Sequence, residues 1–345
     1  MGEEGLVPHG RLLRTVVTRE PTLASFTNRQ LAQELLARLR AGTGAASDGR
    51  YDVDADGFAD LDLELQRHYD VEPNRFSRKN VAARFEAYFG SDPLHPASPE
   101  GETVVELGCG GRNPLSTLFV FVLLGARRAV GVDLDTIADV PEAVRALARC
   151  AAWMLAEPRL VVNAIPVTRD QVAAHLAATR FDLAKLFAGD ASGVDRDRLD
   201  LRQEPVTRLG FGDGEVDLCC SHSFLEHVDD VEAAVAEMAR VTRRGGRGVH
   251  GIDGIDHRNY QDAGVHRLKF LEERTADSIV YGCNRIRPRQ FPPIFERHGF
   301  EVHQVSEWGR LEVDAEMRAR FVEPYRSMAA EDLACTGETI RVRRR

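Results

Sequence analysis

From Glu102 onward, apolar segments of strand length alternate with longer segments that have helical periodicity. The first four, in order, are "TVVELG", "PLSTLFVFVLLG", "RAVGVDLD" and "PEAVRALARCAAWMLA". Short apolar strands that alternate with helices are typical of a parallel sheet that carries helices on both faces. The pattern therefore predicts an α/β fold with a doubly wound, mostly parallel sheet.

The same alternation continues toward the end of the chain. Further strands are predicted at "DRLDLR", "EVDLCCSH" and "GRGVHGI", and "VEAAVAEMARVT" is predicted as the helix before the last of them. Two more segments, "FEVHQVSEW" and "ETIRVRR", are predicted to close the sheet as a pair. These segments place one α/β domain over residues 101–345.

The first hundred residues have a different pattern, which predicts helices without intervening strands. A capping-box pattern at Thr27 and a glycine stop at Gly42 bound the first helix. A second helix is predicted from Ser77 to Phe89, because Val81, Phe85 and Phe89 fall on one face. Residues 1–100 are therefore expected to form an N-terminal helical cap.

Composition limits the classes of function. The 345-residue chain is 43% hydrophobic and 29% charged, as in soluble globular proteins, and its formal net charge of −9 opposes broad electrostatic binding of nucleic acid. Six cysteines without C-x-x-C spacing indicate neither a zinc site nor a disulfide framework, and a reducing cytoplasm is expected. "LSTLFVFVLLGA", the most apolar segment, has about half the ~20 residues of a spanning helix, and the start resembles no signal peptide. No membrane partner is predicted.

A glycine-rich turn, "ELGCGGR", ends the first predicted strand and opens the helix after it. Gly108 and Gly110 let the backbone turn tightly and approach a ligand, although a tight strand-to-helix turn also needs glycine for structural reasons. The order G-x-G-x-x-G of dinucleotide-binding proteins is not met, because Asn113 stands at the third glycine position. Glu106 precedes the turn, and Asp133 ends the second strand, where a carboxylate can accept hydrogen bonds from both ribose hydroxyls.

Four segments in this order resemble the class I S-adenosylmethionine-dependent methyltransferases: "VVELGCGG", "VGVDLD", "LGFGDGEVDLCCSHSFLEHVDD" and "EMARVTRRGGRGVHGID". The resemblance implies a Rossmann-like sheet with a reversed final strand, and S-adenosylmethionine as the cofactor. It implies cofactor-binding roles for Glu106, Gly108, Gly110, the adjoining Gly111, Asp133, Ser221 and Glu204. Of these, Glu106 and the glycines would line the methionine end, Asp133 would hold the ribose and Glu204 would lie near the adenine.

Two features depart from the family pattern. The third loop glycine of the family falls at Arg112, and the segment between 137 and 198 is longer than a simple helical crossover. Within it, "VTRDQVAAHLAATRFDLAKLF" is predicted to form one or two added helices. Helices that follow the crossover helix would serve packing or dimerisation, whereas helices that precede it would cover the substrate.

Substrate chemistry is expected beyond the carboxyl ends of the fourth and fifth strands, where the crevice of a doubly wound sheet opens. The polar side chains that follow these strands are His222, Glu226, His227, His250, Asp253, Asp256, His257 and Tyr260. His257 is the preferred general base, with Asp256 or Asp253 to fix its tautomer, and His222 and His227 are its rivals. The alternative is a hydrogen-bonded loop that only shapes the floor of the pocket.

Substrate binding is predicted for His250, Asp253, Tyr260 and Arg285, where Arg285 would bind an acidic group or pair within the protein. No metal site is predicted. Glu226 and His227 are similar to the end of an acid-x-x-acid-His metal site of some quinone-pathway O-methyltransferases, but Ser223 replaces the first acid. "DVDADGFADLDLE" has calcium-loop spacing, but Leu63 stands where the twelfth-position glutamate belongs, so an Asp-rich surface turn is expected.

These patterns predict transfer of a methyl group from S-adenosylmethionine to an oxygen or nitrogen of a small molecule or modified peptide. Most of the rate acceleration would come from positioning, since the sulfonium is already a reactive methyl donor. A methyltransferase that acts on RNA or protein is the second possibility, and a catalytically silent cofactor-binding or scaffold protein is the third. Cofactor turnover distinguishes the last from an enzyme.

Overall fold

A computed structural model describes residues 78–90, 98–111 and 113–345. The predicted helix from Thr27 to Gly42 and the Asp-rich segment near residues 52–64 lie outside the described residues. The strands are β1 Thr103–Leu107, β2 Arg128–Asp133, β3 Leu199–Gln203, β4 Val216–His222, β5 Thr242–Asp253, β6 Phe300–Arg310 and β7 Cys335–Arg344. The α-helices are α1 Arg78–Phe89, α2 Pro114–Leu123, α3 Val140–Ala156, α4 Arg169–Ala177, α5 Leu183–Ala188, α6 Val231–Val241, α7 Phe291–Arg297, α8 Ala315–Arg320 and α9 Ala330–Ala334.

The seven strands form one sheet in the order β3-β2-β1-β4-β5-β7-β6. Neighbouring strands from β3 to β5 pair in parallel, whereas β7 is antiparallel to both β5 and β6. The predicted α/β fold with a doubly wound, mostly parallel sheet and a reversed final strand is confirmed. Strand order reverses direction between β1 and β4, so the crevice at their carboxyl ends is the expected ligand site.

Two apolar cores cover the two faces of the sheet. On one face, α1, α2 and α3 pack around large side chains such as Phe119, Phe121 and Trp153. On the other face, α6 and α7 contribute Met238 and Phe295. Strands β1 and β2 are buried on both faces, which explains why their sequences are continuously apolar instead of alternating.

Helix α1 packs on the sheet beside β1, β4 and β5. Its Val81, Phe85 and Phe89 are buried in the first core, as the helical spacing predicted. The carbonyl of Tyr88 at its end accepts a hydrogen bond of 3.0 Å from the buried guanidinium of Arg341 on β7. A cation at a helix carboxyl end is stabilising. These contacts fix α1 to the α/β domain, and the domain boundary near residue 100 stays a prediction.

The segment between 137 and 198 contains the long crossover helix α3, followed by the two shorter helices α4 and α5. On α4, the Nδ1 of His175 lies 2.9 Å from the carbonyl oxygen of Leu123, which is the last residue of α2. Helix α2 ends where the chain turns back into β2, at the amino edge of the sheet. The added helices therefore follow α3, which is the order for which a packing role was expected. Helix α4 lies at the amino edge, opposite the crevice, whereas α5 packs against α3, with Gly189 at its end beside Pro141 near the start of α3.

A third, smaller apolar cluster lies at the carboxyl edge of the sheet, between the loop after β5 and the connection from β6 to β7. Its buried members are Leu268, Phe270, Leu271, Val280, Cys283, Phe321 and Leu333. A hydrogen bond from Val322 to the carbonyl of Leu271 joins the two segments. These segments form a wall beside the crevice that the sequence did not predict. Among the described residues, no helix is long and apolar enough to cross a membrane.

Candidate active site

The glycine turn that follows β1 adopts left-handed backbone at two of its glycines. Gly108 has φ +68°, and a Cβ there would lie 2.2 Å from the ring of Phe224. Gly110 has φ +75°, and a Cβ there would meet open space. A side chain is therefore excluded at Gly108 by packing and at Gly110 by backbone conformation, so bare backbone faces the open side of the turn.

Asp133 is bound to this turn by its carboxylate. One oxygen accepts a hydrogen bond of 2.7 Å from the backbone N–H of Gly110, and the other accepts one of 2.9 Å from Asp135. The carboxylate therefore joins the carboxyl ends of β1 and β2. Each oxygen retains a second lone pair, so two further hydroxyl donors can be accepted.

Glu106 lies under α1 and is only 2% exposed. The hydroxyl of Tyr88 donates a hydrogen bond of 2.8 Å to its Oε1, and Arg84 places a guanidinium nitrogen 3.5 Å from the same oxygen. Burial raises the pKa of Glu106, and the neighbouring Arg84 opposes that rise. Sequence reasoning missed both partners, although Arg84 and Tyr88 are one helical turn apart and flank the predicted apolar face.

A cavity of about 320 Å³ opens between α1 and the glycine turn. Its lining includes Arg84, Gly110, Asn113 and His222. The cavity meets the open side of Gly110. The carboxylate of Asp133 accepts a hydrogen bond from the backbone N–H of the same residue. Exposed backbone, a cation and a carboxylate with free acceptor capacity fit a cofactor that carries an amino acid moiety and a ribose.

Glu204 and Ser221 lie in different surroundings. Glu204 follows β3 beside the end of β2, where its carboxylate accepts a hydrogen bond of 2.7 Å from Gly210.

Ser221 is fully buried near the end of β4, and its hydroxyl lies 2.9 Å from the Nδ1 of His250 on β5. The imidazole of His250 stacks on Phe295 of α7, with the ring centroids 4.9 Å apart. His250 thus points into the second core, and burial lowers its pKa to about 3.

His222 ends β4 and lines the cavity. Its ring meets Tyr88 edge to face at 6.4 Å. Burial, with a smaller effect from Arg84, lowers the pKa of His222 to about 4. An imidazole with so low a pKa is a weak general base at neutral pH.

The remaining predicted side chains meet beyond β5, in a group that we call the crevice cluster: Glu226, His227, Asp253, His257 and Tyr260. His257 places Nε2 3.6 Å from Oδ2 of Asp253, and the hydroxyl of Tyr260 donates a hydrogen bond to the same oxygen. The rings of His227 and His257 are 4.8 Å apart. Burial raises the pKa of Glu226 well above its usual range and lowers that of His227.

Two predicted residues lie apart from this cluster. Asp256 is fully buried and forms a bidentate ion pair with Arg258, so Asp253 is the carboxylate beside His257. Arg285 donates hydrogen bonds to the backbone carbonyls of Glu273 and Asp277. The structure therefore gives both Asp256 and Arg285 contacts that hold the loops around the crevice.

Comparison with known families adds a second line of evidence. The sequence model of a methyltransferase domain family matches residues 165–249, which run from the added helices through β3, β4 and α6 into β5. The glycine turn and Asp133 lie outside the matched residues. No curated protein matches the chain.

Several solved structures are similar to the chain. They include an S-adenosylmethionine-dependent methyltransferase from Mesorhizobium loti, at 18% identity, with 72% of this chain and 93% of that chain covered and a TM-score of 0.38. Geranyl diphosphate C-methyltransferase from Streptomyces coelicolor A3(2) has 18% identity, 91% and 98% coverage and a TM-score of 0.40. A methyltransferase from Methanosarcina mazei has 14% identity, 71% and 93% coverage and a TM-score of 0.37.

Residues 165–249 are therefore similar to a methyltransferase domain, and in the sheet described above they form β3, β4, α6 and the first part of β5.

Proposed function

We propose that the protein is a class I S-adenosylmethionine-dependent methyltransferase and that it transfers the methyl group to an oxygen or nitrogen of a small molecule or modified peptide. The observation that supports this proposal best is the position of the crevice cluster. It follows β5, at the same carboxyl edge as the glycine turn after β1, and it brings imidazole and carboxylate groups to one place. These are the groups that take a proton from a hydroxyl or ammonium acceptor.

The cofactor would be held at the glycine turn. Glu106 and the turn from Gly108 to Gly111 would line its methionine end, while Asp133 would accept hydrogen bonds from the ribose hydroxyls. Glu204 lies beside the end of β2, near the place expected for the adenine. Ser221 would act through the shape of the crevice floor, because its hydroxyl is occupied by His250.

S-adenosylmethionine supplies an electrophilic methyl group when it is bound. The protein then has to place the acceptor in line with that group and exclude water from it. If the acceptor arrives protonated, His257 is the base that we favour. Asp253 lies 3.6 Å from Nε2 and favours the tautomer protonated there, which leaves Nδ1 to accept the proton. His222 is the weaker candidate because its pKa is lowered to about 4.

The charge of the protein supports a small acceptor, and its free cysteines support a reducing cellular compartment. The net charge is −9, which opposes RNA as the substrate, and the cluster itself is rich in carboxylates. All six cysteines are free and five of them are buried, which agrees with a cytoplasmic location. A protein or RNA substrate is the alternative that the following experiment would detect.

The test has a binding part and an acceptor part. Calorimetry should show binding of S-adenosylmethionine and of its demethylated product, and no comparable binding of NAD. The protein is then incubated with methyl-labelled cofactor and a cell extract that has been separated into small-molecule, peptide, protein and RNA fractions. Mass spectrometry should find the label in the small-molecule or peptide fraction. Label that appears only in RNA or intact protein would overturn the proposed substrate class.

A further inference from the structure

The crevice cluster contains a triad of potential metal ligands. One carboxylate oxygen from Glu226, one from Asp253 and one imidazole nitrogen from His257 all lie within 4.8 Å of one another. The three residues come from different places in the chain: a 3₁₀ turn after β4, the last residue of β5 and the loop after it. Only the folded protein brings these three donors together.

Glu226 is the most unusual member of the triad. It is 2% exposed, and neither of its carboxylate oxygens has a partner at normal hydrogen-bond distance and angle, although the backbone N–H groups of Phe224 and Asp253 face the carboxylate. Asp253 is also buried, at 3% exposure. A buried carboxylate without a partner is strongly unfavourable unless it binds a proton or a cation. The Nε2 of His257 is buried and lacks a hydrogen-bond partner as well.

We propose that Glu226, Asp253 and His257 bind one divalent transition-metal ion at the mouth of the crevice. The mixed donor set of two carboxylates and one imidazole suits Mn²⁺ or Zn²⁺ better than the all-oxygen preference of Mg²⁺ or Ca²⁺. The sequence predicted no metal here, because its pattern offered only the adjacent Glu226 and His227. The structure adds two donors that are distant in sequence.

The spacing of the donors is compatible with such an ion. With metal–ligand bonds of about 2.0–2.2 Å, neighbouring donor atoms are about 3–3.6 Å apart. The His257 to Asp253 separation of 3.6 Å already falls there. The widest separation, within 4.8 Å, would close by side-chain rotation as the ion binds.

Neighbouring groups would orient the ligands. Tyr260 donates a hydrogen bond to Asp253, and such second contacts fix the direction of a ligating carboxylate. His227 has its Nδ1 2.6 Å from the carbonyl oxygen of Gly282, which favours a proton on Nδ1 and leaves the lone pair on Nε2. His227 groups with His257 and Cys283 but not with Glu226 and Asp253, so it lies beside the triad and outside it.

The competing set of His227, His257 and Cys283 is less suitable. Burial raises the pKa of the Cys283 thiol to about 12, whereas metals bind the thiolate. The carboxylate set also accounts for the unpartnered oxygens of Glu226, which the thiol set leaves unexplained.

A metal ion at this place would replace the proton that the proposed base mechanism puts on Nε2 of His257, between His257 and Asp253. With the ion bound to Nε2, His257 is a ligand, and the ion itself would lower the pKa of a coordinated acceptor hydroxyl. This catalytic role depends on the proposed function. Binding of the ion does not, so it is tested without cofactor or acceptor.

The test uses the full-length protein after treatment with chelator and removal of the chelator. Mn²⁺ is titrated by calorimetry and by thermal unfolding, and Co²⁺ is added separately because its visible absorption reports imidazole ligation. We expect one Mn²⁺ per chain, a higher melting temperature and a new Co²⁺ absorption band. Lack of saturable binding by the wild-type protein would overturn the proposal.

Substitutions test which residues of the crevice cluster bind the ion. Glu226→Gln and Asp253→Asn should each weaken Mn²⁺ binding at least about tenfold, and both are checked for folding by their unfolding transitions in chelator. Glu232→Gln is the matched control, because Glu232 pairs with His298 at 2.6 Å on the surface, and binding should be unchanged. Binding that survives both cluster variants but is lost in Cys283→Ser would assign the ion to the thiol set and overturn the proposal.

Discussion

At the scale of single residues, the proposed cofactor site includes two carboxylates in contrasting surroundings. Glu106 is buried with Tyr88 and Arg84 as its partners, whereas Asp133 is half-buried and held by backbone N–H groups. The first is shielded from water by α1. The second remains accessible to donors from a ligand, which makes it the better residue for a binding test.

Replacement of Asp133 by Ala should weaken S-adenosylmethionine binding by about 1–3 kcal/mol, because donors buried against it would lose their acceptor. The neighbouring Asp135→Ala is the control, since Asp135 contributes its backbone N–H to Asp133 and that group is retained. Calorimetry of both folded variants gives the comparison. Equal affinity in Asp133→Ala and wild type would remove Asp133 from the cofactor site.

His257→Asn should reduce turnover by about 10²–10⁴-fold, the usual contribution of general-base catalysis, while cofactor affinity stays near that of the wild type. The reduction should become smaller as pH rises if the acceptor itself begins to ionise. His303→Asn, on the half-exposed edge strand β6, is the control. Turnover at the wild-type rate in His257→Asn would exclude a catalytic role, and parallel losses of binding and turnover would favour a structural role in the pocket floor.

At the scale of elements, α1 packs on the sheet beside Glu106 of β1. It supplies Arg84 and Tyr88 to Glu106 and forms one wall of the 320 Å³ cavity. The added helix α4 lies at the opposite edge, beside the end of α2, and α5 packs against α3. Helix α1 thus contributes to the proposed site, whereas α4 and α5 contribute to packing.

Tyr88→Phe tests the first of these roles. It leaves the buried Glu106 with one partner fewer, so we expect a loss of about 1–2 kcal/mol in the free energy of unfolding and weaker cofactor binding. Tyr281→Phe is the matched control, because its hydroxyl donates to Glu273 at the surface. Chemical denaturation and calorimetry measure the two effects. If both variants behave alike, the contact between Tyr88 and Glu106 does not position the carboxylate.

At the scale of the whole molecule, the buried neutral His250 links stability to pH. Its pKa of about 3 in the folded protein is below its ordinary value of 6.5. Between these two pH values the unfolded chain binds a proton that the folded chain does not, so stability falls as pH falls. From pH 7 to pH 4.5 this single group should cost about 2–3 kcal/mol of unfolding free energy.

His250→Gln should therefore show a shallower loss of stability over that range than the wild type, whatever its stability at pH 7. Urea denaturation at a series of pH values measures the slope, and His303→Gln, at an exposed histidine on β6, is the control variant. The buried His222, with its pKa of about 4, adds the same sign of dependence in all three proteins. An unchanged slope in His250→Gln would show that His250 is not held neutral.

The reversal of the final strand was implied by the resemblance to the class I methyltransferases. The sequence by itself determined the order of the strands and of helices α1 to α6, the closing pair of strands, the glycine turn and the acid at the end of β2. These depend on interactions between residues close in the chain: hydrophobic periodicity, turn conformation and the end of one strand. Helix α1 and strands β1 and β2 were predicted to within a few residues for this reason.

Only the tertiary structure decided which side chains meet. Tyr88 reaches Glu106 across 18 residues, and His250 turns into the core because of the face of β5 on which it falls. The ion pair of Asp256 with Arg258 leaves Asp253 beside His257, and Glu226 joins them from the loop after β4. Such contacts depend on how separate elements pack and on the register of a strand, and neither property is encoded in a local pattern.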